Sequence, residues 1–300
     1  MTVLSRFMLR KGSAAEEAAA APAFTTLPRL ERPPVVYFGG ISGEEPAFAL
    51  GILPESRIRY GGRDYFLEML RLKDQSPEPL KAALETLAQD LRAGHFVTNY
   101  VREDGGDAAF LQEAGFAPVA WHEEMALTRE AVEPRLAQAG RHLARWQGRG
   151  IEIKPLTEAP APEVGRLIAS AVGIIPDGIY VLSGELPSKA DYGFSLAAMT
   201  ADGCCGALVA GLQGERLTIE TVVVAESHQG TPVAGMLLLA LMEKLVGTGA
   251  RVATFRIAGD NRGSLMLAER LGARHVGRWL RLAWPRPDDA PEIPVETANE

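Results

Sequence analysis

Cysteine is nearly absent from this 300-residue chain: there are two, and they are neighbours, Cys204 and Cys205. A loop-closing disulfide between adjacent residues is not expected on geometric grounds, so no disulfide framework organises the fold, which fits a reducing compartment. Histidine is scarce as well. His95, His122, His142, His228 and His275 stand far apart without metal-ligand spacing, so no metal is expected. No apolar run approaches the roughly 20 residues of a membrane span. The N-terminal stretch MTVLSRFMLRKGSAAEEAAAAPAF lacks the continuous apolar segment of a signal peptide, so the expected setting is the cytoplasm, away from membranes. Basic residues are outnumbered, 31 Lys and Arg against 38 Asp and Glu. That balance argues against a broad nucleic-acid surface, which needs a basic stripe, but leaves room for a small pocket for an anionic cofactor.

What is present is a packed α/β pattern. With 47% hydrophobic residues and 300 positions, the chain suffices for one large domain or two ordinary ones of roughly 100–200 residues. Residues 1–34 read as a flexible tail ending in LERPP, where two prolines precede the strand-like VVYFGG,. YFLEMLRL, 65–72, reads as a strand. SPEPLKAALETLAQDLRAG, 76–94, reads as a helix with Pro77 in its first turn and Leu80, Leu84, Leu87 and Leu91 at helical spacing,. A strand, a short helix and another strand complete a first domain over 35–127. Residues 128–150, charged and closing on Gly-Arg-Gly, suit a linker helix. A second domain spans 151–284. It opens with a strand and a helix, passes through an irregular stretch over 174–194, and continues as an antiparallel meander with turns at Asp202-Gly203 and Gln213-Gly214,. A long helix, strand, short helix and strand follow. The acidic, Pro-rich end, 285–300, reads as disordered,.

The two halves end alike. Gly115 in LQEAGF and Gly272 in AERLGA lie 157 residues apart, and that offset carries 95–127 onto 252–284 without a gap. Related halves are the expected architecture.

The stretch ESHQGTPVAGMLLLALMEKL, Glu226 to Leu245, sets a turn directly before an apolar helix. Its Gly230 to Gly235 spacing imitates a P-loop, but Met236 and Leu237 stand where Lys and Ser or Thr would be required, which argues against ATP or GTP binding by that route,. A helix start still offers outward N–H groups and a positive dipole end, a ready place for a pyrophosphate.

Placed after the strand TVVVA, this turn gives residues 151–284 a resemblance to the GNAT acyltransferase family. That family carries an (Arg/Gln)-x-x-Gly-x-(Gly/Ala) turn after its fourth strand; here Gln229 and Ala234 match its ends. The resemblance implies two GNAT-like α/β (α+β) domains, each a mixed, mostly antiparallel sheet flanked by helices. It further implies that acetyl-CoA or another acyl-CoA is the co-substrate. Val222, Val223 and Val224 would bond pantetheine through their main chain, and Gln229, Gly230, Thr231, Val233, Ala234 and Gly235 would hold the pyrophosphate. AGDNRGSLMLAERLGARHVG is similar to the family's next strand end and helix, which would lay Asn261 and Ser264 along the CoA arm. Three positions depart from the pattern: Pro232 replaces the central glycine and has no N–H, Ala268 stands where many members carry the tyrosine that protonates the leaving thiolate, and Ala273, a milder change, replaces the usual phenylalanine. In the first half the corresponding turn, LRLKDQSPEPLKAAL, has no glycine and carries Asp74 and Glu78, so a related fold without a CoA site is expected there.

Glu220, in the strand before the turn, falls near where the family places a general base; a solvated or ion-paired strand carboxylate is its plain alternative. Cys204 and Cys205 read as structural thiols and His228 as a solvent-exposed loop residue. Tyr180, Tyr192 and the surrounding 174–194 segment fall where the family builds its acceptor wall. The expected activity is acyl transfer, acetyl in the first instance, from CoA to an amine of a small molecule or protein. The competing expectation is a catalytically silent module that binds CoA or a protein partner.

Overall fold

Apolar runs too short for helices form strands, and Leu-rich stretches at helical spacing pack on their faces. The computed structural model describes residues 7–20, 34–41, 45–55, 64–73, 76–144, 150–172, 176–185, 187–288, 290 and 293. Two units divide the chain: Met1–His122 with Gly277–Glu300, and Glu123–Val276.

The first unit contains β1 (Phe7–Lys11), α1 (Ala14–Ala20), β2 (Val35–Ile41), β3 (Phe48–Glu55), β4 (Asp64–Arg71), α2 (Glu78–Leu91), β5 (His95–Thr98), β6 (Val101–Arg102), α3 (Gly106–Glu113) and the start of β7 (Ala117–Thr128). β1 to β4 pair antiparallel in sequence order, and β5 joins β4 in parallel after the α2 crossover. α2 buries Leu80, Ala83, Leu84 and Leu87, in one cluster with Phe48, Leu50, Leu67 and Phe96 from the sheet. The second unit contains the end of β7, then α4 (Arg129–Ala144), β8 (Glu152–Pro155), α5 (Ala161–Val172), α6 (Asp177–Leu182), β9 (Leu196–Thr200), β10 (Gly203–Gln213), β11 (Arg216–Val224), α7 (Val233–Val246), β12 (Val252–Ala258), α8 (Arg262–Arg270) and the start of β13 (Arg274–Trp284). Here β8 to β11 run antiparallel and β12 pairs with β11 in parallel. α7 is the crossover; Leu237 and Leu241 are fully buried in one cluster with Leu208 and Leu217 of the sheet.

The repeat holds at the level of elements. Gly115 and Gly272, 157 residues apart in the sequence, both take left-handed conformations, φ 95° and 88°. Each ends its helix in the same way: Phe116 N–H donates to the Leu111 carbonyl and Ala273 N–H to the Ala268 carbonyl, both at 3.0 Å. This is the 6→1 closure of a helix on a glycine. The parallel pairs also correspond, running from Asp64↔His95 to Leu67↔Thr98 in one unit and from Arg216↔Val252 to Ile219↔Phe255 in the other.

Four boundaries differ from the sequence expectation. Within the expected tail 1–34, β1 pairs with β2 from Phe7↔Ile41 to Lys11↔Tyr37, a long-range contact that local composition does not encode. The linker region forms the expected helix, but Val132 of α4 is buried in the second unit's core and Leu136 packs against it; residues 145–149 lie outside the described ones. β13 is divided: Ala283 and Trp284 pair with Val97 and Phe96 of β5, so the second domain's expected limit at 284 moves back to Val276. In the segment expected to be disordered, Ala290 packs against Val97, Val119 and Ala283, while most of 289–300 lies outside the described residues.

Candidate active site

The site begins with an irregularity in a ladder. β10 and β11 pair Val209 with Thr221 but Ala210 with Ile219, so Glu220 is an extra residue, a β-bulge. A bulge locally re-aims side chains. Upstream, Leu217 and Ile219 lie in the α7 cluster. Downstream, Val222 and Val224 pack against that same cluster, while Val223 joins the opposite one with Val164, Ile168 and Val209.

Glu220 is held by two donors. The Gly178 N–H, at the start of α6, donates to Oε2 at 3.1 Å, and the Tyr192 hydroxyl donates to Oε1. Burial pushes the Glu220 carboxyl up from its ordinary range, against the hydrogen bonds from Tyr192 and Gly178, which pull it down; the Asp177 charge adds a smaller upward push. The Tyr192 phenol is raised in turn, first by burial and then by its bond to Glu220.

Two glycines and a bridge place that phenol. A Cβ on Gly178 would lie 2.4 Å from the Tyr192 ring, and one on Gly211 would lie 2.9 Å from it. Asp191 N–H donates to the Leu212 carbonyl at 2.7 Å, and Leu212 N–H returns a bond to Asp191 at 2.8 Å. The ring therefore rests against bare backbone beside a fixed main chain. Tyr192 lies in the segment expected to form the acceptor wall. Its junction with Glu220, and the parts of Gly178 and Gly211, carried no local signal beyond the glycines themselves.

Beyond Ile219↔Phe255 the parallel ladder stops, although β11 continues to Val224 and β12 to Ala258. Val222, Val223 and Val224 remain paired with β10; among the described residues, no β12 partner covers their other edge. At the end of β11 the chain turns through Glu226–His228 and enters α7, with Pro232 at its N-cap. The donors of this turn divide into two sets. The Gln229 N–H donates to the Glu226 carbonyl and the Thr231 N–H to the His228 carbonyl, both at 3.2 Å; the Thr231 hydroxyl also reaches His228 O, at 2.5 Å. Among the described residues, no acceptor meets the N–H groups of Gly230, Val233, Ala234 and Gly235. Val233 is fully buried, main chain included, so the N–H expected of it lies beneath the surface, while Gly230 is exposed and Ala234 and Gly235 are half-buried. Gly230 has φ 74° with open space about it, a conformation that favours glycine.

Asn261 and Ser264 lie at the same end of the parallel pair, after β12. Asn261 caps α8, its Oδ1 accepting the Ser264 N–H at 3.1 Å, so both have a structural task. Ala268 is 4% exposed and belongs to the core. Cys205 is buried and Cys204 half-buried, and burial pushes both thiols up, away from the thiolate a nucleophile requires. His228 is half-buried, with its Nδ1 3.0 Å from the Ser227 hydroxyl. In the first unit the corresponding helix start carries Glu78, exposed, its carboxyl lowered by the Ser76 hydroxyl; Asp74 lies outside the described residues. Among the described residues no cluster of three His, Cys, Asp or Glu could hold a metal, and no helix is long and apolar enough to cross a membrane.

The crevice at the carboxyl end of a parallel pair, with a helix N-terminus beside it, is where open α/β sheets bind ligands. Free N–H groups and the positive end of α7 suit a pyrophosphate, and the uncovered strand edge suits an amide-bearing arm. No family model and no curated protein sequence matches this chain. Solved structures do. A GCN5-related N-acetyltransferase from Sphaerobacter thermophilus aligns over 94% of this chain and 96% of its own, with TM-score 0.55 and 17% identity. A tandem GNAT protein from the clavulanic acid biosynthesis pathway aligns over 94% and 100%, with TM-score 0.57 and 17% identity. A GCN5-related glucosamine N-acetyltransferase region of a fungal multi-domain beta-N-acetylglucosaminidase aligns over 93% of this chain and 38% of that one, with TM-score 0.57 and 12% identity. The chain has the tandem fold of the GCN5-related N-acetyltransferases.

Proposed function

We propose that the second unit binds an acyl-CoA and transfers its acyl group, acetyl in the first instance, to an amine of a small molecule or protein. The observation that carries this reading is the coincidence, at one end of β11, of three accessible N–H groups that meet no acceptor among the described residues, an uncovered strand edge and a half-buried carboxylate. Gly230, Ala234 and Gly235 would hold the pyrophosphate through their N–H groups, and Val222, Val223 and Val224 the pantetheine. The amine nitrogen bonds the thioester carbon as its C–S bond breaks, and the departing CoA thiolate takes its proton from water. Glu220 accepts the proton of the incoming amine, directly or through a water. Its raised pKa brings its basicity nearer to that task, as general-base catalysis near neutral pH favours. Tyr192 and the Gly178 N–H fix the carboxylate's orientation.

Titration of acetyl-CoA into the full chain is expected to give micromolar binding, about −8 kcal/mol. Heat equal to that of buffer on a folded sample removes the proposal. The silent-module reading has its own support: Pro232 offers no N–H, Ala268 is buried in the core, and Glu220 already accepts two hydrogen bonds. Release of free CoA with an amine acceptor in a steady-state assay separates the readings, because binding without turnover belongs to the second.

A pH profile tests the junction of Tyr192 with Glu220. A base works deprotonated, so kcat/KM rises with pH through the Glu220 pKa. The tyrosine's hydrogen bond favours the carboxylate and holds that pKa down. In Tyr192→Phe the acidic limb is therefore expected to move to higher pH. A bond to a charged group is worth about 1.5–3 kcal/mol, so the move is about one to two pH units. A limb that stays in place detaches Tyr192 from the reacting base.

A further inference from the structure

The apolar surface of α7 extends from the sheet-side core round to α4 and α8. Leu238, Leu239 and Met242 line it, facing Leu136 of α4 and Leu267 and Leu271 of α8 around a cavity of about 170 Å³. The engineered apolar cavity of about 150 Å³ that accepts benzene is of similar size. Arg135 is the one charged residue in the lining. A smaller pocket near the end of α7, which shares Leu127, Val132 and Met242 with the cavity, is bordered by Arg129 and Arg251. Those two are paired, Arg129 with Glu133 at 2.6 Å and Arg251 with Glu215 at 3.1 Å. Arg135 differs. Its Nη1 donates to the Ala131 carbonyl of its own helix at 2.6 Å, and among the described residues no carboxylate pairs with it. Beside the mouth, Leu267 is 38% and Met266 50% exposed, apolar surface left to water.

We infer that this cavity is a binding site for a medium-chain carboxylate, with the alkyl tail between α4, α7 and α8 and the carboxylate on Arg135. The lining is apolar with one placed polar group, the make-up of a small-molecule site. From Gly235 to Met242 the groove follows eight residues of α7, about 10 Å of helix, roughly the reach of an eight-carbon chain. Covering apolar surface supplies the affinity, about 25 cal/mol per Å². The guanidinium distinguishes an acid from an alcohol or an ester, since a charge-assisted pair is about twice as strong as a neutral one. The site is separate from the Glu220 junction, and Gly235 alone belongs both to its lining and to the proposed pyrophosphate turn. Octanoate binding is measured without acetyl-CoA, so its outcome does not depend on the activity proposed above.

Octanoate, below its micellar concentration, and octanol are the probes, titrated into the full chain by calorimetry and thermal shift. Saturable octanoate binding with a raised Tm is expected. Arg135→Gln should weaken octanoate about tenfold or more and leave octanol unchanged. Leu267→Glu, at an exposed position that tolerates a charge, sets a carboxylate at the mouth and should weaken octanoate more than octanol. The inference is overturned by the absence of saturable octanoate binding. It is overturned equally by an Arg135→Gln chain that binds octanoate as the parent does, or by a dimer whose formation hides the groove from octanoate at every protein concentration.

Discussion

Glu220→Gln is expected to lower turnover by about 10²–10⁴-fold, the usual worth of a general base, with affinity for acetyl-CoA unchanged. The substitution is chosen for what it keeps. A glutamine amide has the shape of the carboxylate and retains an oxygen to accept the Gly178 N–H, so the start of α6 stays satisfied. It cannot accept a proton at working pH, and that is the property removed. The alternative role for Glu220 is structural: a carboxylate that answers an unpaired N–H in the first turn of a helix whose N-cap, Pro176, offers no side-chain acceptor,. Under that role the amide serves nearly as well, and turnover is indifferent to the change. Steady-state rates and calorimetry on one sample distinguish the two. A fully active variant returns Glu220 to structure and shifts the weight of interpretation to the silent module.

Ala234→Asp is expected to abolish CoA binding while leaving the chain folded, the second large effect. Ala234 is the second residue of α7 and only half-buried. The first turn of α7 has no acidic residue and no side-chain cap. A carboxylate near a helix N-terminus stabilises it by about 0.3–1 kcal/mol through the dipole, so the helix gains from the aspartate. The same negative charge would stand where the pyrophosphate is proposed to lie, on the N–H groups of Gly230, Ala234 and Gly235. Stability and binding should therefore move in opposite directions, and a merely structural turn predicts no such divergence. A denaturant titration and an acetyl-CoA titration measure the two quantities. Binding equal to the parent's places the phosphates elsewhere.

Much of this was legible in the sequence because it depends on neighbours along the chain. The helices over 78–91 and 233–246 follow from leucines at helical spacing, and the meander from its glycine turns, where Gly203 and Gly214 take φ 121° and 60°. The repeat was visible through Gly115 and Gly272, since a left-handed helix end restricts the residue that can occupy it. What was not legible depends on partners distant in sequence. β1 has no clean alternation: Arg10 lies 4.9 Å over the Phe38 ring while its guanidinium also pairs with Glu16. β3 contains Gly51 and Pro54, residues that read against a strand. The bulge at Glu220 is a matter of register between two strands, so no residue type announces it. Tyr192 could be placed near the acceptor region, but its partner 28 positions away could not.

The extra residue at Glu220 makes the two halves differ in length as well as in composition. Along β4 the ladder to β3 runs without interruption from Glu55↔Asp64 to Phe48↔Arg71, and Glu68, which follows the last parallel pair as Glu220 does, sits squarely opposite Gly51. β11 behaves like a text with a one-letter insertion: odd positions face α7 before it and even positions after it. Restoring the first half to the second half's arrangement by exchanging side chains would leave every residue after Glu68 in the wrong phase. Converting one arrangement into the other requires a residue inserted or removed, and a chain without it would hold the carboxylate but lack the bulge that aims it,.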